Sequence, residues 1–139
     1  MILLDTNVVS ALMLRAPDPA AVEWLDAQPA ESVWTTAITV FEVRTGLELL
    51  QSSRRRQQLE EAFSHLLERD LDGRVHAFDQ AAAIDAGTIA AQQQRTGRPT
   101  EIRDVQIAGI AKARRAALAT RNTRHFRDLG IDLVNPWTP

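Results

Sequence analysis

The segment Met1-Ile2-Leu3-Leu4-Asp5-Thr6-Asn7 decides the fold of this chain. Three apolar residues lead directly into a carboxylate, a hydroxyl and a carboxamide, a pattern typical of a short buried strand that ends in polar groups. In open α/β sheets, ligands and catalytic groups lie at the carboxyl edge of the strands. We therefore expect Asp5 to lie at that edge, where other acidic groups could join it.

Composition indicates an ordinary globular protein. Of the 139 residues, 45% are apolar and 24% are charged, and a chain of this length buries roughly 68–70% of its unfolded surface. No apolar run approaches the ~18 residues of a membrane span, and no basic-then-apolar leader is apparent. Because cysteine is absent, disulfides, thiolate chemistry and Cys-ligated zinc are excluded. We expect a single domain over residues 1–139 in the reducing cytoplasm, with no membrane contact.

The charge is unevenly distributed along the chain. The net charge of −2 argues against a general nucleic-acid coat. Between Val105 and Arg127, however, there are six basic residues and no acid, and Arg54-Arg55-Arg56 forms a second basic cluster. Since guanidinium groups bind phosphate bidentately, these arginines are either phosphate contacts or solvated helix faces.

Strand-like and helix-like segments alternate along the chain. The predicted strands are Ile2–Asp5, Ser32–Thr36, Val75–Phe78, Ala116–Thr120 and Asp132–Val134. The predicted helices are Val8–Leu14, Pro19–Ala27, Ala37–Leu50, Arg54–Arg69, Gln80–Arg95, Glu101–Arg114 and Thr123–Leu129. Asp79 and Thr100 are the expected starts of two of these helices. Such alternation predicts βαβ units, a mainly parallel sheet of about five strands and three layers.

Glu42 is the second acid of interest. At helical spacing it shares a face with Ile38, Thr39, Thr45 and Gly46. A carboxylate on such a face is costly to bury unless it is paired or bound to a metal. Two interpretations stay open: a metal ligand, or a salt bridge to Arg44, Arg103 or another arginine.

Asp104 is the third acid, and it interrupts an apolar stripe formed by Ile107, Ala108 and Ala111. Glu101 lies one turn earlier on the same side. An acid in the first turn of a helix also stabilises the helix dipole by ~0.3–1 kcal/mol. Asp104 is therefore either a ligand or a dipole partner, and Glu101 is expected to be peripheral.

Asn122 follows the strand Ala116–Thr120, so it is expected at the same edge as Asp5. It could instead cap the helix Thr123–Leu129, which is worth ~1 kcal/mol. Taken together, Asp5, Glu42, Asp104 and Asn122 all fall at strand ends or in the opening turns of the following helices. Clustered carboxylates are typical Mg²⁺ ligands, and paired ions can activate water and stabilise the leaving oxygen of a phosphodiester. His65, His76 and His125 lack ligand spacing and are expected to be surface or packing residues.

This set of motifs resembles the PIN-domain ribonucleases, in particular the VapC-type toxins with their FitB-like branch. The resemblance is carried by Leu4-Asp5-Thr6-Asn7, Phe41-Glu42, Asp104-Val105-Gln106-Ile107-Ala108 and Thr120-Arg121-Asn122-Thr123 with Phe126. It implies a three-layer α/β/α sandwich around a parallel five-stranded sheet of order 3-2-1-4-5. It also implies an endoribonuclease toxin of a type II toxin–antitoxin system that uses Mg²⁺ or Mn²⁺ and hydrolyses phosphodiester bonds of tRNA, rRNA or mRNA to arrest growth.

The resemblance also assigns residues and partners. Asp5, Glu42 and Asp104 match the family's metal-binding acids, and Thr6 matches a hydroxyl that helps to hold the site. A VapB/FitA-like antitoxin is implied, with an arginine that could enter the acidic site, and so are a homodimer and a toxin–antitoxin hetero-oligomer. The apolar helices Val8–Leu14 and Ala37–Leu50 could supply either contact surface.

One position departs from the family pattern, which often has a fourth acid where Asn122 or His125 stands here. Asn122 can still ligate or orient water, but it brings no charge. We therefore expect Asp5 and Asp104 to hold one ion well, while a second ion arrives with the RNA phosphate.

Arg121, Arg124 and the Lys112–Arg115 cluster, including Arg115, are candidates to guide the RNA backbone. Two other classes of protein share features of this pattern. A receiver-like signalling domain would need an acidic pair at the first strand and a lysine after the fifth, whereas Lys112 is the only lysine. A PIN fold kept as a binding module, with its nuclease activity lost, stays open because of Asn122 and His125.

Overall fold

Five parallel strands form the sheet, in the order β3-β2-β1-β4-β5. The computed structural model describes residues 1–98 and 100–139. The strands are β1 (Ile2–Leu4), β2 (Val33–Thr36), β3 (Val75–His76), β4 (Ala117–Ala119) and β5 (Leu133–Val134). In the register, Ile2 pairs with Val33 on one side and with Ala117 on the other. The predicted strand order is therefore confirmed, with the first strand at the centre.

Seven helices surround this sheet in the described ranges. They are α1 (Thr6–Leu12), α2 (Pro19–Asp26), α3 (Ala37–Leu49), α4 (Arg54–His65), α5 (Gln80–Arg95), α6 (Ile102–Arg114) and α7 (Thr123–Phe126). A short 3-10 turn, Ala30–Ser32, precedes β2, and the end of α4 continues as a π-helical segment, Leu66–Asp70. No described helix is long and apolar enough to cross a membrane.

The two faces of the sheet are buried in separate apolar clusters, because successive side chains of a strand point to opposite faces. Leu3 packs with α5, α6 and Phe126 of α7. Leu4 packs with α1, α3 and α4 on the other face. The result is the predicted three-layer α/β/α arrangement, with Leu3 and Leu4 of β1 fully buried between the helical layers.

Helix α5 contacts α6 very closely at Gly109. A Cβ atom added to Gly109 would lie 2.6 Å from the Ala82 carbonyl oxygen and 2.6 Å from the Ala86 Cβ. The backbones can approach only because Gly109 has no side chain there. Since Asp104 lies in the first turn of α6, this packing fixes the helix that carries it.

Several predicted boundaries differ from the structure for local reasons. Helix α1 begins at Thr6 rather than Val8, because the Asp5 side chain accepts from the Thr6 amide and caps it. Thr100 is not the cap of α6; that role falls to Glu101, whose carboxylate accepts from the Arg103 and Asp104 amides. The last helix ends at Phe126 instead of Leu129.

Candidate active site

Asp5 lies at the carboxyl end of β1, at the centre of the sheet. Its backbone N–H donates to the Ala119 carbonyl at 2.9 Å. The position of the Asp5 backbone is therefore fixed by β4 in addition to its own strand, β1. Only 5% of the residue is exposed. A carboxylate held this rigidly beneath the surface needs polar partners, because burying a lone charge is costly.

The Asp5 carboxylate is held by hydrogen bonds from three neighbours. The Thr120 hydroxyl donates to Oδ2 at 2.7 Å, and the Asn7 amide donates to the same oxygen at 3.2 Å. The Thr6 backbone N–H donates to Oδ1 at 2.8 Å. Asn7 also donates to the Thr120 hydroxyl and accepts from the Arg121 amide, so it joins the end of β4 to the start of α1.

Glu42 reaches the same edge from α3. The Thr6 hydroxyl donates to Glu42 Oε1 at 2.7 Å and lies 3.2 Å from the Thr39 hydroxyl. The other oxygen, Oε2, lies 3.7 Å from Arg103 Nη1. Both interpretations of Glu42 thus find contacts: it shares Thr6 with the Asp5 site, and it pairs with Arg103 rather than Arg44.

Asp104 enters from the first turn of α6, with 20% of its side chain exposed. His125 Nδ1 lies 3.5 Å from Asp104 Oδ2. The expectation that His125 is merely a surface or packing residue was therefore incomplete, since it contacts a site acid. His76, by contrast, stacks on Trp34 with ring centroids 4.1 Å apart.

The acids at this edge affect one another's ionisation. Burial raises the pKa of Asp5 above its usual value, against the lowering effect of the Thr120 and Thr6 hydrogen bonds, and the Glu42 charge adds to the rise. Burial and the Asp5 charge raise the pKa of Asp104 to about 6. A bound cation would reduce the repulsion between these carboxylates and so favour their ionised forms.

The donor chemistry of the site fits a hard divalent ion. Three carboxylates, the Thr6 hydroxyl and nearby amide oxygens offer the oxygen ligands that Mg²⁺ and Mn²⁺ prefer. In the described part of the chain, no three acidic or histidine side chains are yet close enough together to hold an ion. Asp5, Glu42 and Asp104 would supply the carboxylate ligands of such an ion.

Asn122 occupies the position expected for it at the end of β4, but its side chain does not cap α7. Its amide donates to the Thr120 hydroxyl at 3.1 Å, and the residue is exposed. The side chain thus has no capping role, and it is the backbone N–H of Asn122 that joins the Asp5 network through Thr120.

The predicted RNA-binding arginines separate into two groups. Arg124 and His125 line a cleft of about 520 Å³ that also borders Asp104. Arg121 stacks its guanidinium over the Trp137 ring at 4.4 Å. Arg115 is different: it follows α6 and precedes β4, with a left-handed φ of 53°. It therefore lies at the amino edge of the sheet, away from the acids, and its contact with the RNA backbone stays a prediction.

Sequence reasoning missed Thr120 as a site residue, although it lies in the motif after β4. Its hydroxyl is fully buried and supplies the shortest hydrogen bond to Asp5. The contact was missed because 115 residues separate the two partners along the chain, so no local pattern connects them. A threonine at the end of a strand next to β1 was the available clue.

Comparison with known proteins places this arrangement in a family. A family model described as the PIN domain matches residues 2–131. The VapC ribonuclease Y4jK of Sinorhizobium fredii is 38% identical over 139 residues, covering 100% of this chain and 99% of that protein. Toxin FitB of Neisseria gonorrhoeae is 34% identical over 137 residues, covering 99% of each.

A solved structure agrees with these relatives. The crystal structure of FitAcB from Neisseria gonorrhoeae superposes with a TM-score of 0.88 at 34% identity, covering 99% of both chains. The sheet order, the three acids at its carboxyl edge and these matches lead to one conclusion: this chain belongs to the PIN-domain family and is similar to its VapC and FitB toxins.

Proposed function

We propose that this protein is the toxin of a type II toxin–antitoxin system and acts as a divalent-metal-dependent endoribonuclease on RNA phosphodiester bonds. The observation that carries the proposal is the convergence of Asp5, Glu42 and Asp104, from three distant parts of the chain, on one edge of the sheet. Relatives named as a VapC ribonuclease and as toxin FitB support it.

Asp5, Asp104 and Glu42 would hold Mg²⁺ or Mn²⁺. When bound, such an ion activates water as a nucleophile and stabilises the charge that develops on the phosphate oxygens. The chain's own residues orient the ligands: Thr120 and Asn7 hold Asp5, and Thr6 holds Glu42. Asn122 stands where a fourth acid would add charge, and its carbonyl oxygen can position water.

The charge of the site bears on how many ions it holds. The Asp5 charge contributes to the raised pKa of Asp104, while the Glu42 carboxylate already lies 3.7 Å from the Arg103 guanidinium. We propose that one ion binds well through Asp5 and Asp104 and that a second arrives with the RNA phosphate. Calorimetric titration with Mn²⁺ should give one tight site in the free protein; two tight sites would contradict this.

The partner we propose is a small antitoxin of the VapB/FitA type. Solved structures similar to this chain include FitAcB from Neisseria gonorrhoeae and DNA-bound VapBC from Salmonella typhimurium. An antitoxin segment with a cationic side chain would satisfy Asp5, Glu42 and Asp104 while it blocks RNA. Exposed apolar side chains on α3, among them Phe41 at 58% and Leu49 at 81% exposure, offer a contact surface for the antitoxin or for a second copy.

The decisive experiment is cleavage of total bacterial RNA by purified, antitoxin-free protein. It is run with Mg²⁺ or Mn²⁺, with EDTA, and with Asp5→Asn, and the new RNA ends are sequenced. Asp26→Asn, an exposed aspartate in α2, is the matched control. We expect discrete metal-dependent cuts by the wild type and the control, and their loss in Asp5→Asn.

A folded protein that binds RNA or its partner without cutting would overturn the nuclease assignment. The fold would then serve as a binding module, and Asn122 and His125 would explain the lost activity. Circular dichroism of each variant tests whether a loss of cleavage comes from unfolding.

A further inference from the structure

We infer that Arg103 binds an RNA phosphate next to the cleaved bond, and that Glu101 holds it ready to do so. The inference rests on the proposed ribonuclease function and adds a residue that contacts the substrate. It gives a role to Glu101 and Arg103, two charged residues at the start of α6 that lie beside the three site acids.

Glu101 holds the Arg103 side chain at a fixed place. One carboxylate oxygen accepts from Arg103 Nε at 2.9 Å. The other accepts from the backbone N–H groups of Arg103 and Asp104, at 2.9 and 3.3 Å, and so caps α6. The guanidinium is therefore tied to the helix start through Nε, and its Nη1 faces Glu42.

Arg103 is only loosely bound to the site acid. Its Nη1 lies 3.7 Å from Glu42 Oε2, longer than a hydrogen bond, whereas the contact with Glu101 is 2.9 Å. If Glu42 turns toward a metal ion, Arg103 keeps its closer partner and stays where it is. The side chain is 43% exposed, so a phosphate can reach its terminal nitrogens.

A polyanion approaching this site needs such a cation. Asp5, Glu42 and Asp104 are all acids, and they repel phosphate unless positive charge surrounds them. Arginine presents parallel N–H donors that match phosphate oxygens bidentately. An exposed ion pair such as Arg103–Glu101 contributes little to stability. The stability of the fold therefore does not account for the placement of Arg103.

The cation on the Glu42 side complements those near α7. The cleft that contains Arg124 and His125 borders both Asp104 and Glu101. An RNA strand lying over Asp5 and Asp104 would therefore meet Arg103 beside Glu42 and the basic side chains of the α7 cleft. Both contacts would hold the backbone across the acids.

The test measures RNA binding and cleavage separately. Binding of a single-stranded RNA oligonucleotide is followed by fluorescence anisotropy in EDTA, over a salt series, for wild type, Arg103→Ala, Arg103→Lys and Glu101→Gln. Arg69→Ala, an exposed arginine before β3, is the control. Cleavage is then measured with Mn²⁺ as kcat and KM.

We expect Arg103→Ala to weaken RNA binding about five- to tenfold and to reduce the salt slope by about 0.7, the value for one lost contact with a single strand. KM should rise more than kcat falls. Arg103→Lys should restore the salt slope but not the full affinity. Glu101→Gln should weaken binding about two- to threefold, in the same direction, because Arg103 loses its charged anchor.

Unchanged affinity and slope in Arg103→Ala, matching Arg69→Ala, would overturn the inference even if the wild type cuts RNA. The same is true if Arg103→Ala lowers only the melting temperature, since that assigns the residue to structure. Arg103-dependent binding without any cleavage would support Arg103 as a contact for the RNA backbone, but it would reject the proposed nuclease and with it the place of that contact beside a cleaved bond.

Discussion

At the scale of single residues, the site depends on acids that the fold holds against their own repulsion. Asp104 is the clearest case, because burial and the Asp5 charge raise its pKa to about 6. An unfolded chain has an aspartate pKa near 3.8. The folded state therefore binds an extra proton between these values and loses stability as pH rises through them.

We predict that Asp104→Asn stabilises the metal-free protein at pH 7.5. In EDTA, the free energy of unfolding of the variant should exceed that of wild type by about 1–2 kcal/mol, because the folded protein no longer has to ionise this group. The difference should vanish near pH 4, where Asp104 is protonated. Denaturant melts of wild type, Asp104→Asn and the control Asp26→Asn at both pH values provide the measurement.

Equal stability of wild type and Asp104→Asn at pH 7.5 would show that ionising Asp104 costs the fold nothing. Addition of Mn²⁺ gives a second readout, because the ion should stabilise wild type and leave Asp104→Asn nearly unchanged. A protein stabilised equally in both forms would bind the ion elsewhere.

The residue scale also shows what sequence could and could not predict. Asp5, Glu42 and Asp104 were recognisable because each follows a strand end or lies in a polar position on an apolar helix face. The hydrogen bond from Thr120 to Asp5 depends on the pairing of β1 with β4, which is set by packing across the whole chain. The contact of His125 with Asp104 likewise appears only when α7 folds back over α6.

At the scale of elements, the close approach of α5 and α6 places Asp104. We predict that Gly109→Ala destabilises the protein by about 1–3 kcal/mol, because the added methyl group would overlap the α5 backbone. Cleavage activity should fall with it, since α6 must move. Gly87→Ala is the matched control: it lies in α5, where a Cβ meets nothing within 4 Å.

Thermal melts and RNA cleavage of the two variants separate the effects. Gly87→Ala should be neutral or slightly stabilising, because alanine has the higher helix propensity. If Gly109→Ala melts like wild type, α5 and α6 can separate without cost, and the glycine would not be needed for their packing.

The positions of the helices and strands were predictable to within a few residues, but the edge of the sheet at which Arg115 lies was not. Strands and helices alternate as expected, and the periodic segments gave every helix. Arg115 was misplaced because it is close in sequence to Asn122, whereas β4 lies between them and separates them by the length of a strand. Which end of an element faces the site depends on chain direction, and a basic run read along the sequence does not carry that information.

At the scale of the whole molecule, positive charge near α7 borders an acidic edge. We predict that the double variant Arg121→Glu and Arg124→Glu weakens RNA binding and flattens its salt dependence, by about 0.7 in slope for each lost phosphate contact. Anisotropy titrations from low to physiological salt measure both quantities. Arg115→Gly is the control, because its left-handed backbone suits glycine and it lies at the far edge.

An unchanged slope in the double variant would assign Arg121 and Arg124 to structure. Arg121 already has such a contact, since it stacks on Trp137. Loss of binding in Arg115→Gly as well would mean that RNA follows a longer path around the sheet than the site alone suggests.

The pairing of β1 with β4 has a consequence for fragments of the chain. Asp5 precedes Thr120 by 115 residues, yet its backbone and carboxylate are held by Ala119 and Thr120. A fragment that ends before Ala117 lacks the strand that completes the centre of the sheet. Because such a fragment cannot hold the Asp5 carboxylate, it should lack the proposed site even when helices α1 to α6 are all present.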